Sequence, residues 1–322
     1  MVWLSAALGF VLLILAGDAL VKGAVNLSLR LGIPALIVSL TVVAFGTSAP
    51  ELIIAVNAVL EGVPALALGN VVGSNTANIL LVLGLPAIFA TLHSCEHDIK
   101  KAYLAMLVAT CLFIGLAFQG IFEWSSGLIL LALLAYVLND TLRDALRHSQ
   151  NNSNPADINP DTSDADDTIG AEPVMAGWKI ALYLTLGIIG LPLGAHILVD
   201  SASEIARLFG MSEAIIGLTL VALGTSLPEL ATTITAALRR QADVALGNVI
   251  GSNMFNLLAI MGLTTLVGPV PVDTAFLTFD LWVMLGATLL LIPFVFFNWN
   301  ITRRFGIGLT ALYLLYVTLV LM

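Results

Sequence analysis

The chain is a succession of long apolar stretches, each long enough to cross the hydrocarbon core of a bilayer, which is about 30 Å thick. A backbone in lipid must satisfy its own hydrogen bonds, so each stretch is predicted to be an α-helix. Charged residues make up only 10% of the sequence, against roughly a quarter in soluble domains. We predict an all-α membrane protein with ten transmembrane helices, called spans 1 to 10: 3–29, 33–59, 64–90, 101–118, 122–140, 177–205, 213–238, 243–267, 277–297 and 303–321.

One polar segment, 148–176, divides the ten spans five and five. It contains three prolines and six acidic residues but no Lys or Arg, a composition typical of a disordered linker. We therefore predict a first five-span half (1–147), an acidic linker (148–176) and a second five-span half (177–322). Because the linker holds six of the acids behind the net charge of −9, that charge does not indicate soluble partners.

The basic residues orient the spans. Arg207 lies near the loops that follow even-numbered spans, and the other eleven basic residues lie near the loops after odd-numbered spans. Loops rich in Lys and Arg stay in the cytoplasm. The prediction is a multi-pass protein of the cell (inner) membrane, with a cytoplasmic linker and both termini on the extracytoplasmic side. The eleven are Lys22, Arg30, Lys100, Lys101, Arg143, Arg147, Lys179, Arg239, Arg240, Arg303 and Arg304.

The two halves share a duplicated core. The segment G-T-S-A-P-E-L at 46–52 recurs as G-T-S-L-P-E-L at 224–230, and G-N-V-V-G-S-N at 69–75 recurs as G-N-V-I-G-S-N at 247–253. At this constant offset of 178, residues 32–84 and 210–262 share 25 identities in 53 positions. An odd number of spans in each half makes the second copy enter the membrane from the opposite side. Two inverted five-helix repeats are the plan of many secondary transporters.

The repeated polar residues lie inside the membrane. Glu51 and Glu229 are near the middle of spans 2 and 7, where a charge costs about 3 kcal/mol. Two hydroxyl residues precede each carboxylate by four and three residues, which places them on the same helix face. In addition, Pro50 and Pro228 should kink spans 2 and 7, because proline removes an N–H and clashes with the preceding turn. We expect the kinks to free carbonyls near Ala44 and Ala222 to point at a ligand.

The resulting donor set contains only oxygen and amide groups, which favours a hard cation such as Ca²⁺, Mg²⁺ or Na⁺. A flexible cage on two kinked helices favours Ca²⁺, and Na⁺ can use the same oxygens. The candidate ligands are Glu51, Glu229, Thr47, Ser48, Thr225, Ser226, Ser74, Ser252, Asn78, Asn256 and the carbonyls of Ala44 and Ala222.

Several other functions are disfavoured. Two cysteines and four histidines lack the spacing of a zinc site, and no basic patch indicates a nucleic acid partner. We predict no cofactor, and no constellation of side chains indicates an enzyme. Protein partners and the oligomeric state, a monomer included, are left open. Two charged i,i+4 pairs, Asp18 with Lys22 in span 1 and His196 with Asp200 in span 6, are interpreted as local ion pairs rather than as ion-entry residues.

The duplicated segments resemble the two alpha-repeats of the sodium/calcium exchanger family, within the cation/calcium antiporter superfamily; here they are the alpha-1 motif (within 32–84) and the alpha-2 motif (within 210–262). The resemblance implies an antiporter in which Na⁺ entry drives Ca²⁺ out of the cytoplasm. It implies that Glu51 and Glu229 are the central ion ligands, with Thr47, Ser48, Ser74, Thr225, Ser226, Ser252 and the carbonyls of Ala44 and Ala222 around them. It also implies that spans 1 and 6 slide as gates over a fixed core.

One position departs from part of that family. Potassium-dependent members carry an aspartate where this chain has Asn256, so the resemblance does not extend to potassium dependence. The histidine-containing motif of proton-coupled relatives is also absent. The alternatives that remain are H⁺/Ca²⁺ or Na⁺/Mg²⁺ exchange on the same architecture and, in a different class, a cation channel.

Overall fold

The computed structural model describes residues 2–93, 99–152, 175–210 and 222–320. Within these ranges, eight helices are long and apolar enough to cross a membrane, and a ninth span is a pair of helices that meet at an angle of 43°. The bent pair, Ala35–Thr47 and Ala49–Leu60, is span 2. The eight are spans 1, 3, 4, 5, 6, 8, 9 and 10, at Val2–Leu31, Pro64–Phe89, Ile99–Ala117, Trp124–Arg147, Gly177–Leu208, Ala242–Val267, Phe276–Phe296 and Arg303–Val320.

Span 7 is described in its second part only, as the helices Ala222–Gly224 and Leu227–Leu238. Its predicted beginning, 213–221, lies outside the described residues. The other predicted spans match the observed helices to within a few residues, with one exception. The span 5 helix continues through Trp124–Asn152, so it extends five residues into the predicted linker; residues 153–174 of that linker lie outside the described ranges. Near the predicted end of span 5, Lys101 of span 4 pairs with Asp140 at 2.6 Å and also with Asp144, one turn further along the continuing helix.

Spans 3 and 8 form the centre of the molecule. In the most apolar 18-residue stretch of each span, all residues of span 8 and 78% of those of span 3 are buried, whereas only 17% of those of span 10 are. Both central spans are interrupted by a π-helical turn at the same repeat position, Asn78–Val82 in span 3 and Phe255–Ile260 in span 8. Such turns recur at functional sites, because the extra residue re-aims side chains. The sequence analysis did not predict them.

Loop contacts confirm that alternate loops lie at the same end of the bundle. After spans 4 and 8, the two-residue strands Ile121–Phe122 and Val270–Pro271 pair antiparallel. At the other end, Leu92 after span 3 forms a bridge with Ile301 after span 9. Loops that follow even-numbered spans therefore meet at one end, and loops that follow odd-numbered spans meet at the other, as an inverted repeat requires.

The contact between spans 1 and 6 shows the two-fold relation directly. A Cβ on Gly9 would lie 2.7 Å from the backbone nitrogen of Leu198, and a Cβ on Gly187 would lie 2.5 Å from the side chain of Leu20. At the offset of 178, Gly9 is equivalent to Gly187 and Leu20 to Leu198, so one contact is the other with the halves exchanged. Small residues let the two helix backbones approach closely.

The two-fold relation also governs how the outer spans pack. A Cβ on Gly306 of span 10 would lie 2.7 Å from the carbonyl oxygen of Gly84 in span 3, and one on Gly127 of span 5 would lie 2.7 Å from that of Gly262 in span 8. Gly84 and Gly262 are equivalent residues. Each central span therefore packs closely against an outer span of the other half, and a glycine lies at the contact.

This packing predicts that Gly306→Ala destabilises the protein by about 1–3 kcal/mol, because the added methyl meets rigid backbone. The matched control is Gly308→Ala on the same helix, where a Cβ has no described atom within 4 Å. Since alanine forms helix better than glycine by about 1 kcal/mol, the control should be neutral or stabilising. Thermal unfolding in detergent measures both variants, and equal midpoints would contradict the packing.

Candidate ion-binding site

The two equivalent carboxylates lie just after the breaks in spans 2 and 7. Ser48 and Ser226 leave helical geometry in the same way, with φ, ψ of −86°, 3° and −88°, 4°. Each break is followed by a new helix with proline in its first two positions, where the missing N–H has no cost. Glu51 and Glu229 fall in the first turns of these helices, which favour negative charge because of their free N–H groups.

The break corrects one prediction about the backbone. The carbonyl of Ala44 is not freed, since it accepts the N–H of Ser48 at 3.0 Å and lies 3.3 Å from the Thr47 hydroxyl. Because Pro50 has no N–H to donate, the series of backbone hydrogen bonds along the helix is interrupted after Ala44, and the Ala44 carbonyl keeps its partner. In span 7, Ser226 donates its N–H to the carbonyl of Leu223 at 3.1 Å.

Glu229 is held by hydroxyls from both halves of the protein. Its Oε1 lies 3.2 Å from the Ser48 hydroxyl of span 2 and 3.5 Å from the Ser252 hydroxyl of span 8. The Thr47 hydroxyl lies 3.3 Å from Ser252 Oγ and 3.3 Å from Asn248 Oδ1. The Thr47 hydroxyl also lies 3.3 Å from the Ala44 carbonyl, so its single proton faces three possible acceptors and can be donated well to only one of them. The arrangement is rich in oxygen lone pairs and poor in protons, as a cation site is.

Glu51 has no hydrogen-bond partner among the described residues on either carboxylate oxygen, although it is only 1% exposed. Glu229 Oε2 and the Ser226 hydroxyl are buried and unpartnered in the same way. No ion pair in the described part of the chain joins Glu51 or Glu229 to a basic residue. Burying charge without a partner is costly, so these oxygens are suited to a bound cation.

The amides of spans 3 and 8 meet at the pseudo-two-fold axis. Asn75 and Asn253 are equivalent residues, and Asn253 donates to the carbonyl of Asn75 at 3.3 Å. Asn78 donates to Asn253 Oδ1 at 3.1 Å. Asn78 Oδ1 and both polar atoms of Asn256 are buried without a hydrogen-bond partner in the described ranges. The predicted amide ligands therefore also present unpartnered oxygens inside the core.

The remaining predicted ligands are buried on the expected spans. Ser74 of span 3 is 4% exposed and Thr225 of span 7 is 8% exposed. At the site, side-chain hydrogen bonds join Thr47, Ser48 and Asn78 of the first half to residues 229, 248, 252 and 253 of the second. The structure therefore brings the polar face of span 2 against spans 7 and 8.

One residue that organises this contact is not among the predicted ligands. Asn248 is fully buried, accepts from Thr47, and donates to the carbonyl of Glu229 at 3.3 Å and to Thr233 at 3.2 Å. It lies in the duplicated G-N-V-I-G-S-N segment, and its equivalent is Asn70. Its identity across the repeats was the signal that could have identified it.

We expect Asn248→Ala to lower the free energy of unfolding by about 1–3 kcal/mol, because it removes one partner from several buried polar groups. The equivalent change, Asn70→Ala, should have a smaller effect, since Asn70 is half-buried and makes one long bond of 3.5 Å to the Glu51 carbonyl. Thermal unfolding of both variants in the same detergent tests the difference. A larger loss in Asn70→Ala would contradict the assignment.

Comparison with known proteins agrees with this geometry. The family model described as sodium/calcium exchanger protein matches residues 1–139 and 179–322, which is nearly all of both halves. The chain belongs to the sodium/calcium exchanger family. The resemblance inferred from the duplicated segments is therefore confirmed, and the exchanger family is a family of transporters rather than of enzymes.

Three relatives of this exchanger-family chain cover most of its length. The putative antiporter CaxA of Alkalimonas amylolytica is 36% identical over 88% of this chain and 86% of its own. The inner membrane protein YrbG of Escherichia coli is 34% identical over 94% and 90%. The sodium/calcium exchanger MaX1 of Methanosarcina acetivorans is 31% identical over 98% and 97%. A multi-pass membrane protein is thus supported by both helices and relatives.

The family fold is also found in solved structures. The sodium-calcium exchanger NCX_Mj, soaked with Na⁺ and Ca²⁺, superimposes with a TM-score of 0.81 at 30% identity, covering 99% of both chains. The same exchanger soaked without Na⁺ and Ca²⁺ gives a TM-score of 0.82. These matches confirm the predicted fold class, an all-α membrane protein of ten transmembrane helices in two inverted five-helix repeats.

Proposed function

We propose that this protein is a secondary antiporter that exchanges Na⁺ for Ca²⁺ by alternating access. The observation that carries the proposal is the pair of equivalent carboxylates, Glu51 and Glu229, 1% and 0% exposed and without a basic partner in the described ranges. Two carboxylates balance the charge of one Ca²⁺ or of two Na⁺ ions. One site can therefore neutralise either one Ca²⁺ or two Na⁺ ions, but not all three ions at once.

The donor chemistry supports these ions over others. Within the described residues, no group of three or more His, Cys, Asp or Glu could hold a metal ion; the oxygens near Glu51 and Glu229 come from hydroxyls, amides and carbonyls. Ca²⁺ accepts irregular cages of six to eight oxygens, whereas Mg²⁺ requires a near-ideal octahedron. We propose Thr47, Ser48, Ser74, Asn78, Thr225, Ser226, Ser252, Asn256 and the carbonyl of Ala222 as further ligands, with Asn248 positioning Thr47; the Ala44 carbonyl is left out because Ser48 and Thr47 already occupy it.

Inverted repeats supply the means for alternating access. Exchanging the conformations of the two halves converts a site open at one end into a site open at the other. The close glycine contacts between spans 1 and 6 pack these two helices tightly against each other, as one moving body requires. We propose that spans 1 and 6 move as a unit over the core of spans 2, 3, 7 and 8.

Purified protein in vesicles tests the proposal. Vesicles loaded with Na⁺ and diluted into Na⁺-free medium should accumulate ⁴⁵Ca²⁺, and dissipating the Na⁺ gradient with an ionophore should stop the uptake. Uptake driven by a pH gradient without Na⁺ would instead support H⁺/Ca²⁺ exchange, and Mg²⁺ uptake would support Na⁺/Mg²⁺ exchange. Channel-sized conductance in planar bilayers would contradict an antiporter.

We further propose that the linker end of the bundle is cytoplasmic and that both termini are extracytoplasmic, in the cell (inner) membrane. Eleven of twelve basic residues lie near loops at the linker end. Single cysteines are introduced into a cysteine-free background, in place of Asp161 in the linker or of Asn298 in the loop after span 9. Both should be protected from an impermeant thiol reagent in intact cells. Labelling of these sites before permeabilisation would reverse the orientation.

A further inference from the structure

A second charged cluster, away from the carboxylate site, joins span 1 to span 7. Asp18 of span 1 accepts a hydrogen bond from Arg239 Nε at 2.6 Å and pairs with Lys22, one turn along its own helix, at 3.0 Å. The predicted local pair of Asp18 and Lys22 is therefore present, but it is part of a larger contact. Arg239 caps the helix Leu227–Leu238, whose first turn carries Glu229. The cluster thus connects span 1, which is proposed to move together with span 6, to the helix that carries Glu229.

The repeat contains a counterpart of this cluster in which acidic and basic residue types are exchanged. At the offset of 178, Asp18 is equivalent to His196 and Lys22 to Asp200, while Arg239 is equivalent to Glu61. Glu61 caps the helix Ala49–Leu60, as Arg239 caps its equivalent. An acid–base pair between span 1 and span 7 therefore has a base–acid counterpart available between span 6 and span 2.

The counterpart is not assembled in this structure. His196 pairs with Asp200 of its own helix at 3.3 Å, and their side chains are 74% and 65% exposed. The side chains of Asp18 and Arg239 are 30% and 38% exposed. Glu61 is exposed. One end of the bundle is therefore held by a cross-span ion pair, and the equivalent groups at the other end are apart.

Packing along the same helices shows the same asymmetry. A Cβ on Gly17 of span 1 would lie 3.2 Å from the carbonyl of Ala231 and 3.2 Å from the hydroxyl of Thr235 in span 7. The equivalents of Ala231 and Thr235 in span 2 are Ile53, which is 61% exposed, and Asn57, which is also exposed. Span 1 covers this face of span 7, whereas the equivalent face of span 2 is exposed.

We propose that the Asp18–Arg239 pair and a Glu61–His196 pair are alternative gating contacts, each formed in one of the two access states and broken in the other. This inference rests on the proposed alternating access. If the halves exchange conformations, span 6 covers the second half of span 2, and His196 reaches Glu61 as Asp18 now reaches Arg239. The four side chains act as positioning residues, since they set which end is closed without touching the ion.

Cross-linking tests whether the two contacts exclude each other. In a background in which Cys95 and Cys111 are replaced by serine, Asp18→Cys with Arg239→Cys and Glu61→Cys with His196→Cys are treated with a short bifunctional thiol reagent. We expect each pair to cross-link when present alone, and each cross-link to stop Na⁺/Ca²⁺ exchange. In the variant with all four cysteines, no molecule should carry both cross-links.

Two outcomes would overturn the proposal: both cross-links in one molecule, or no 61–196 cross-link under conditions in which the cysteine-free protein transports. Absence of exchange in the cysteine-free and parent proteins would instead be a failure of the proposed function. Exclusivity of the cross-links would still be measurable in that case, so the two failures are distinguishable.

Charge substitutions test the energetic role of the observed pair. Arg239→Gln should raise the rate of the 61–196 cross-link about twofold to fivefold, the range for a partly exposed ion pair. The charge swap of Asp18→Arg with Arg239→Asp should restore the parent rate, which a purely structural role would not. Arg240→Gln removes the same charge one residue away and should have no effect. An unchanged rate in Arg239→Gln would contradict the proposal.

Discussion

Glu51→Gln and Glu229→Gln are each expected to reduce Na⁺-driven Ca²⁺ uptake about 100-fold or more, to the background of empty vesicles. Ca²⁺ affinity depends strongly on the number of charged ligands, and each substitution leaves one carboxylate to balance a divalent ion inside the membrane. Glutamine has the shape of glutamate, and at position 229 it keeps an oxygen that can accept from Ser48 and Ser252. The loss would therefore reflect charge rather than packing.

Stability measurements separate this effect from misfolding. Removing a buried charge without a basic partner should leave the ion-free protein as stable as the parent or more stable. Ca²⁺ should raise the unfolding temperature of the parent, since a ligand that binds only the folded state stabilises it, and should do so much less in either variant. The control is Glu123→Gln, an exposed acid in the loop after span 4. Parent-like uptake in Glu51→Gln or Glu229→Gln would rule out these ligands.

Gly251→Ala should reduce transport at least about tenfold although it changes no ligand. A Cβ at this position would lie 2.6 Å from the carbonyl oxygen of Leu40 and 2.6 Å from the Cβ of Ala44. Both are parts of a helix that cannot rotate away, so span 8 must move off span 2, at a cost of about 1–3 kcal/mol. That movement separates Ser252 from Thr47, whose hydroxyl oxygens are 3.3 Å apart.

The control for this substitution is Gly286→Ala in span 9, an exposed position where a Cβ meets no described atom within 4 Å. It should transport as the parent does. A shorter residue at the partner position, Ala44→Gly, should partly rescue Gly251→Ala, because it removes one of the two close contacts. Full activity in Gly251→Ala would show that the contact between spans 2 and 8 does not define the site.

Much of the architecture was predictable because lipid permits few solutions. Apolar length and the need for internal hydrogen bonds define the spans, and the bounds agree to within a few residues for most of them. Duplication with an odd number of spans defines the inversion. The candidate ligands followed because Glu51 and Glu229, with their neighbouring hydroxyls, are costly in a membrane unless they have a function.

Other features depended on contacts between distant segments. The Ala44 carbonyl was predicted to be free, yet the break begins after it and Ser48 bonds it. The helix of span 5 was predicted to end near residue 140, yet Lys101 of span 4 pairs with Asp140 and Asp144 and the helix continues to Asn152. Asn248 was overlooked, because its importance comes from Thr47, 201 residues away.

The amino-acid sequence by itself determined the number of spans, their inversion and the chemistry of the candidate site, because hydropathy, parity and residue type are properties of the chain alone. Only the tertiary structure decided which contacts the equivalent residues of the two halves make, and these contacts differ. Ser48 reaches Glu229, whereas both oxygens of Glu51 are unpartnered among the described residues; Asp18 reaches Arg239, whereas Glu61 and His196 are exposed. Two similar sequences can pack differently because each is surrounded by the other.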